Sequence, residues 1–263
     1  MIEYVAVVVP ARNEGERLAR SMRSVRAAVD RLRAERTGLR VRIVLVLDSC
    51  TDDSNAIASR LPDVMRVHCS YANVGAARGA GVRWAMGALR GEAASTWIAS
   101  TDADSEVPDT WLVDQVRLAE RGWDVTLGAV VPVRSELTPG QRAAWDATHP
   151  HGAIAGHVHG ANLGVRASVY LQSGGFESIA EHEDARLVDN LRQVGARVVG
   201  LDGPAVITSG RAEGRTPGGY AGYLAALEPA HEQHEQHEQH DHTHEQHDLE
   251  NARHPARESL AVG

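Results

Sequence analysis

The chain reads as an α/β protein built on a doubly wound, mostly parallel central sheet flanked by helices, with a smaller mixed region after it and a low-complexity tail. Three observations lead there. Over the first half, short β-branched runs alternate with helix patterns of ten or more residues, the order that parallel strands joined by helical crossovers require. After Pro132 the alternation lapses into sequence with no clean period. Beyond Glu228 a His-Glu-Gln repeat replaces any globular pattern.

The elements follow in order. Tyr4 to Pro10 is a β-branched run, and Glu14 to Arg33 carries Leu18, Met22, Val25, Val29 and Leu32 at intervals of three and four, an amphipathic helix. Val41 to Leu47 is a second strand, Asp52 to Leu61 a second helix and Val64 to His68 a third strand. A helix from about Gly75 to Leu89 leads to a fourth strand, Thr96 to Ser100. Pro108 to Arg121 reads as a helix, with Pro108 in its first turn and Asp109 at the positive end of its dipole, before a strand over Val125 to Val131.

The second half is less regular. Arg134 to Gly156, with Pro139, Trp145, Pro150 and His151, is expected to be a loop or short helix over the sheet edge. His157 to Arg166 reads as an isolated strand, Ser168 to Ser173 as a short helix stopped by Gly174-Gly175, and Asp184 to Val194 as an amphipathic helix closed by Gly195. Arg197 to Leu201 and Ala205 to Thr208 read as two short strands. The expected division is a domain over 1–227, with halves 1–131 and 132–227, and a tail over 228–263.

Bulk properties narrow the function. The formal charge of -8 is concentrated in the tail, where nine acids against two arginines give -7 and leave the body near -1. A neutral body without a stripe of arginines interleaved with aromatics argues against nucleic acid as a partner. The arginines from Arg17 to Arg42 are spaced like a solvated helix face and its exit loop. Apolar runs are only strand-length and the start shows no leader pattern, so no integral membrane span and a cytoplasmic location are expected. Cys50 and Cys69, outside any CxxC arrangement, fit a reducing compartment.

Candidate chemistry gathers at strand ends. Asp102-Ala103-Asp104 follows the fourth strand directly, and carboxylates at the carboxyl edge of a sheet are costly to desolvate unless a cation or ligand meets them. Asp48 ends the second strand, positioned to accept hydrogen bonds from a nucleotide's base or ribose. Thr51 or Asp52 is expected to cap the next helix. Pro10-Ala11-Arg12-Asn13-Glu14 ends the first strand beside it. Glu181-His182-Glu183-Asp184 opens a helix, where acidic side chains also suit the dipole.

The runs VVVPARNEGE and VLVLDSCTDDS, the Asn73-x-Gly75-x-x-Arg78 turn, STDADS and EHEDARL, in that order over residues 4 to 225, resemble a family-2 glycosyltransferase of the GT-A fold. The resemblance implies a nucleotide-sugar donor and a hydroxyl acceptor. It implies that Pro10, Ala11, Arg12, Glu14 and Asp48 hold the base and ribose and that Arg78 helps hold the nucleotide. Asp102 and Asp104 would be the metal motif for Mg²⁺ or Mn²⁺, Asp104 the more direct ligand and Asp102 nearer the ribose or a metal-bound water. Glu183-Asp184 falls on the family's Glu-Asp motif, with Asp184 as general base for an inverting displacement. Some enzymes of this fold place a late histidine on the metal; Val206 to Arg211 has none, and Arg211 or Arg215 is expected to clamp the diphosphate instead.

Other residues carry weaker signals. His157 and His159 alternate with Val158, so both rings are expected on one face, for an acceptor or ordinary hydrogen bonding rather than a metal pair. Trp111 and Trp123 are expected in the core, whereas Trp145 suits either an acceptor sugar or a loop anchor. Eight of the fourteen histidines lie between His231 and His254, a stretch expected to bind Ni²⁺ or Zn²⁺ adventitiously. Two competing readings are a metal-handling or interaction protein using that tail, and a sugar-nucleotide nucleotidyltransferase, whose Gly-rich phosphate loop is replaced here by Pro-Ala-Arg-Asn-Glu. Transfer to a membrane lipid phosphate is a further variant, disfavoured by the lack of a hydrophobic anchor.

Overall fold

The structure, a computed structural model, describes residues 1–149, 156–211, 213–214 and 218–227. Its strands are β1 (Tyr4–Ala11), β2 (Arg40–Asp48), β3 (Val64–Cys69), β4 (Thr96–Ser100), β5 (Val125–Pro132), β6 (Leu163–Arg166) and β7 (Val198–Thr208). They form one sheet in the order β3-β2-β1-β4-β6-β5-β7. All pairings are parallel except those of β6, which runs antiparallel to both β4 and β5. The α/β class with a mostly parallel sheet is thus the observed one.

Alternation along the strands sends residues to two cores. Val5, Val7 and Val9 face one side, where α1 (Gly15–Glu35), α2 (Ser54–Ser59) and α4 (Trp111–Glu120) cover them with Leu18, Met22, Val25, Ala58, Trp111 and Leu112. Ala6, Val8, Val44 and Val46 face the other, under α3 (Val74–Leu89), α6 (Ala167–Gln172) and α7 (Glu183–Gln193). Both faces of the sheet are therefore buried, which is why these strands read as continuous apolar runs. A satellite cluster of Leu137, Trp145 and Leu224 joins α5 (Pro139–Thr148) to α8 (Tyr220–Ala226).

Several expectations change. The 157–166 strand shrinks to β6, because Gly160–Asn162 forms a 3-10 turn and the histidines precede it. The two late strands are one, β7, whose residues 202–205 are taken up where its pairing with β5 shifts register between Gly128 and Val130. Pro108 and Asp109 lie in a turn before α4, whose N-cap is Thr110. The irregular 134–156 stretch contains α5, opened by a reciprocal capping box between Thr138 and Gln141. Both cysteines are free thiols. Trp111 is buried, but Trp123 is only partly so, with Arg197 over its ring at 4.7 Å. Among the described residues no helix is long and apolar enough to cross a membrane. Pro150, His151, Arg215 and the histidine-rich tail lie outside the described residues.

Candidate active site

The chain leaves β1 for β2 on one side and returns through β3 to β4 on the other, so the carboxyl ends of β1, β2 and β4 frame the point where strand order reverses. Ligands of open parallel sheets bind at such a crevice. A cleft of about 630 Å³ opens there. Pro10, Ala11, Arg12, Glu14, Asp48, Arg78, Asp102, Asp104, Glu183, Asp184 and Arg211 all line it, so residues up to two hundred positions apart come to one place.

One wall is an array of satisfied turns. Asp48, 3% exposed, accepts from the backbone N–H groups of Tyr71 (2.7 Å), Ala72 (3.0 Å) and Asn73 (3.0 Å), and so shapes the loop that enters α3. Most of its acceptor capacity is spent on the protein. Asn13, at φ 53, accepts from Thr51 N–H at 2.7 Å. Neither Thr51 nor Asp52 is the N-cap of α2, which is Asp53 with no side-chain cap. Asp52 instead serves two helices, accepting from Gly15 N–H at the start of α1 (2.9 Å) and from Ser54 N–H at the start of α2 (3.0 Å). Burial raises the Asp52 pKa, and these hydrogen bonds outweigh it and hold the carboxyl below its ordinary range.

At the centre, Asp102 and Asp104 lie on the turn after β4. That turn is fastened to β7 by Ser105 Oγ donating to Thr208 Oγ1 (2.8 Å) and by a bridge between Glu106 and Ile207. The link brings the segment after β7 over the turn. Arg211 donates to both oxygens of Glu14 at 3.0 and 2.9 Å, and its Nη2 also lies 2.9 Å from Asp104 Oδ2. The Asp104 side chain is 11% exposed, and burial, together with the charge of Asp102, pushes its pKa up to about 6 despite Arg211. The Arg211 guanidinium loses hydration on burial, but Glu14 and Asp104 more than compensate and raise its pKa.

Behind this centre lies a fully buried cation. Arg78, one turn into α3, donates from Nη1 to Glu183 Oε1 and from Nη2 to Asp102 Oδ1 at 2.5 Å. Its Cζ sits 5.8 Å from the centroid of the Phe176 ring. Burial alone would lower its pKa, yet Asp102, Glu183 and Asp184 together keep it above the ordinary arginine value. Glu183 is buried too, and the loss of hydration raises its pKa even against Arg78. Gly160 is required here because a Cβ would fall 2.4 Å from Arg78 Nη2. The same residue's N–H donates to Asp184 Oδ2 at 2.6 Å, which fixes that carboxylate at the first turn of α7.

The far side of the cleft carries rings. His157 and His159 stack at 6.4 Å, and His159 meets Tyr220 edge-on at 5.9 Å. Burial lowers the pKa of His159 in spite of nearby Asp184. Trp145 is buried and stacked on His149 at 4.2 Å, which makes it an anchor for α5. Tyr220, Tyr223 and His149 line the cleft without a sequence signal to single them out, since α8 is too short to show a period. Among the described residues no three His, Cys, Asp or Glu side chains form a ready-made metal cage.

Comparison with known proteins fits this geometry. An undecaprenyl-phosphate 4-deoxy-4-formamido-L-arabinose transferase of Pseudomonas syringae pv. syringae (strain B728a) is 32% identical over 144 residues, covering 55% of this chain and 39% of the relative. The mannosyltransferase PcManGT from Pyrobaculum calidifontis, solved with GDP-Man and Mn²⁺, superposes with a TM-score of 0.57 at 17% identity, over 81% of this chain and 58% of that one. TarS 1-349 of S. aureus in complex with UDP gives a TM-score of 0.56 at 15% identity, over 79% and 60%. The chain thus spans 39% of the curated relative's length. These structures share its fold, the GT-A architecture. Residues 6–165, more than half of the chain and running from within β1 to within β6 through the Asp102-Ala103-Asp104 turn, match the model of Glycosyl transferase family 2, and the chain belongs to that family.

Proposed function

We propose that the chain transfers a sugar from a nucleotide-diphosphate donor to an acceptor hydroxyl, with a divalent cation on the donor and inversion at the anomeric carbon. The observation that carries this reading is the meeting of Asp102-Ala103-Asp104 and Asp184 in one cleft at the sheet's reversal point. Membership of the family and the donors named for the solved relatives support it.

Pro10, Ala11 and Arg12 at the end of β1, with the loop that Asp48 shapes, hold the base and ribose. Arg211 supplies a planar pair of donors for the diphosphate, exchanging its contacts with Glu14 and Asp104 for phosphate oxygens. Asp104, with Asp102 beside it, fits a hard cation: a buried carboxylate whose pKa is pushed up to about 6 gains most from a positive partner. Asp102 and Asp104 would hold a Mg²⁺ or Mn²⁺ ion by carboxylate oxygens, the ligand type such a hard cation takes. Such a cation, when bound, neutralises charge developing on the diphosphate leaving group.

Asp184 removes the acceptor's proton. Its Oδ2 is held by Gly160 N–H, which locks the side chain while each oxygen keeps a free lone-pair site for an acceptor hydroxyl. As that proton moves to the carboxylate, the acceptor oxygen bonds to the anomeric carbon and the bond to the diphosphate breaks from the opposite face. General-base catalysis of this kind contributes about 10²- to 10⁴-fold. Residues 1–131 serve the donor and 132–227, apart from Arg211, the acceptor, with 228–263 as an appendage.

The test is a thermal-shift screen of UDP- and GDP-sugars with and without Mn²⁺, on the wild type and on Asp184→Asn. A matching donor at saturation raises the melting temperature by about 5–10 °C, and only with the cation. Asp184→Asn shows the same shift but loses about 10²- to 10⁴-fold in turnover. A protein that no nucleoside diphosphate stabilises is not a sugar transferase, and equal loss of donor affinity and turnover in Asp184→Asn removes its role as base.

A further inference from the structure

Arg78 stands apart from the other cations of the cleft. Arg12 is partly exposed at the rim and Arg211 reaches in from the segment after β7, whereas Arg78 is 3% exposed and belongs to a helix clamped against the sheet. Gly81, one turn further along α3, lets the helix approach so closely that a Cβ there would lie 2.5 Å from Val8 Cγ1. At the helix start, the Asn73 side chain caps Ala76 N–H (2.8 Å) and donates to Ile179 O (2.6 Å), tying α3 to the loop that leads into α7. The guanidinium is thus presented from a rigid base.

Both of its terminal nitrogens are committed. Nη1 goes to Glu183 on α7 and Nη2 to Asp102 after β4, residues of separate elements that line the same cleft. The Phe176 ring and Gly160 close round it, and Gly160 also holds Asp184. Two carboxylates and the surrounding enclosure hold the guanidinium as a bridge, and its Nε is left buried without a partner among the described residues.

We infer that Arg78 is a positioning residue, a buried cross-brace that sets the distance between the donor-side turn carrying Asp102 and the base-bearing turn Glu183-Asp184, and not a ligand of the nucleotide. The inference rests on the sugar-transfer reading of the same cleft. In-line displacement needs the base and the donor held in register, and a misplacement of about 1 Å costs on the order of 10²-fold in rate. Lysine keeps the charge but cannot span two carboxylates with a planar fork.

The experiment measures binding of UDP or GDP with Mn²⁺ by titration calorimetry, and turnover as sugar release to water from the corresponding nucleotide sugar, in Arg78→Lys, Glu183→Gln and the double variant. Glu183→Gln is nearly isosteric and strips the charge from one arm of the brace, so it keeps the test open if Arg78→Lys folds poorly. The expected result is a kcat lower by about 10²-fold in each single variant. Nucleotide Kd stays within about threefold of wild type. The double variant loses scarcely more than either single one, because residues acting as a unit are not additive. A nucleotide Kd that weakens in step with kcat makes Arg78 a donor ligand and overturns the inference, as does full additivity. If the wild type binds neither nucleotide, the sugar-transfer reading fails and the brace with it; if it binds and only the variants lose affinity, the brace alone fails.

Discussion

Asp104 and Glu183 share the site's electrostatic cost, and Asp104 is the one nearer the proposed cation. Its pKa of about 6 against an ordinary 3.8 means that the folded, cation-free protein takes up a proton there between about pH 4 and pH 6. The stability contribution of that carboxyl is therefore complete below about pH 4 and lost as pH rises past about 6, up to about 3 kcal/mol. Asp104→Asn escapes this cost, and in the absence of divalent ions it melts higher than wild type at pH 7.5 and no higher at pH 4. Adding Mn²⁺ with nucleotide reverses the ranking, since only the wild type gains a ligand. A variant that melts below wild type at pH 7.5 without metal would show that Arg211 already compensates the charge. The paired acids of this motif were legible in the sequence because they follow an apolar strand directly. The partnership of Arg211 with Glu14 was not, since it spans 197 residues and depends on how β7 meets the turn after β4.

Elements with strong periodicity were readable, and those set by tertiary contact were not. The spacing of Leu18, Met22, Val25, Val29 and Leu32 marks α1, and each of these residues is buried. His157-Val158-His159 alternates like a strand, but Asn162 is drawn inward, donating to Ala129 O and accepting from Trp111 Nε1, which turns the chain before β6 begins. For α5 a signal did exist in Thr138-Pro139-x-Gln141, a cap followed by a first-turn proline. Within α3 two glycines predict opposite outcomes. Gly81→Ala forces a Cβ to 2.5 Å from Val8 Cγ1 and destabilises by about 1–3 kcal/mol. Gly87 has nothing within 4 Å, so Gly87→Ala stabilises by up to about 1 kcal/mol through helix propensity alone. Urea unfolding of the two variants beside wild type reads the signs directly.

For the molecule as a whole, charge and architecture separate. The tail from Glu228 onward holds nearly all of the net charge and eight of the fourteen histidines, while the cleft is lined, among the described residues, by residues that precede it. We propose that residues 1–227 are a self-sufficient domain. Deleting 228–263 leaves melting temperature and nucleotide binding unchanged and abolishes retention on Ni²⁺ resin; lost nucleotide binding would make the tail part of the site. The shortened chain, near neutral, is also expected to be less soluble.

The antiparallel strand β6 carries a consequence for biogenesis. Among the described strands, β5 and β7 are paired to the remainder of the sheet through the four residues of β6, Leu163–Arg166. While the nascent polypeptide lengthens from residue 100 to residue 166, the outer edge of β4 has no neighbour, a stretch of translation in which an exposed edge invites pairing with another molecule. Closure of the sheet and assembly of the reactive centre thus await one late-made clasp.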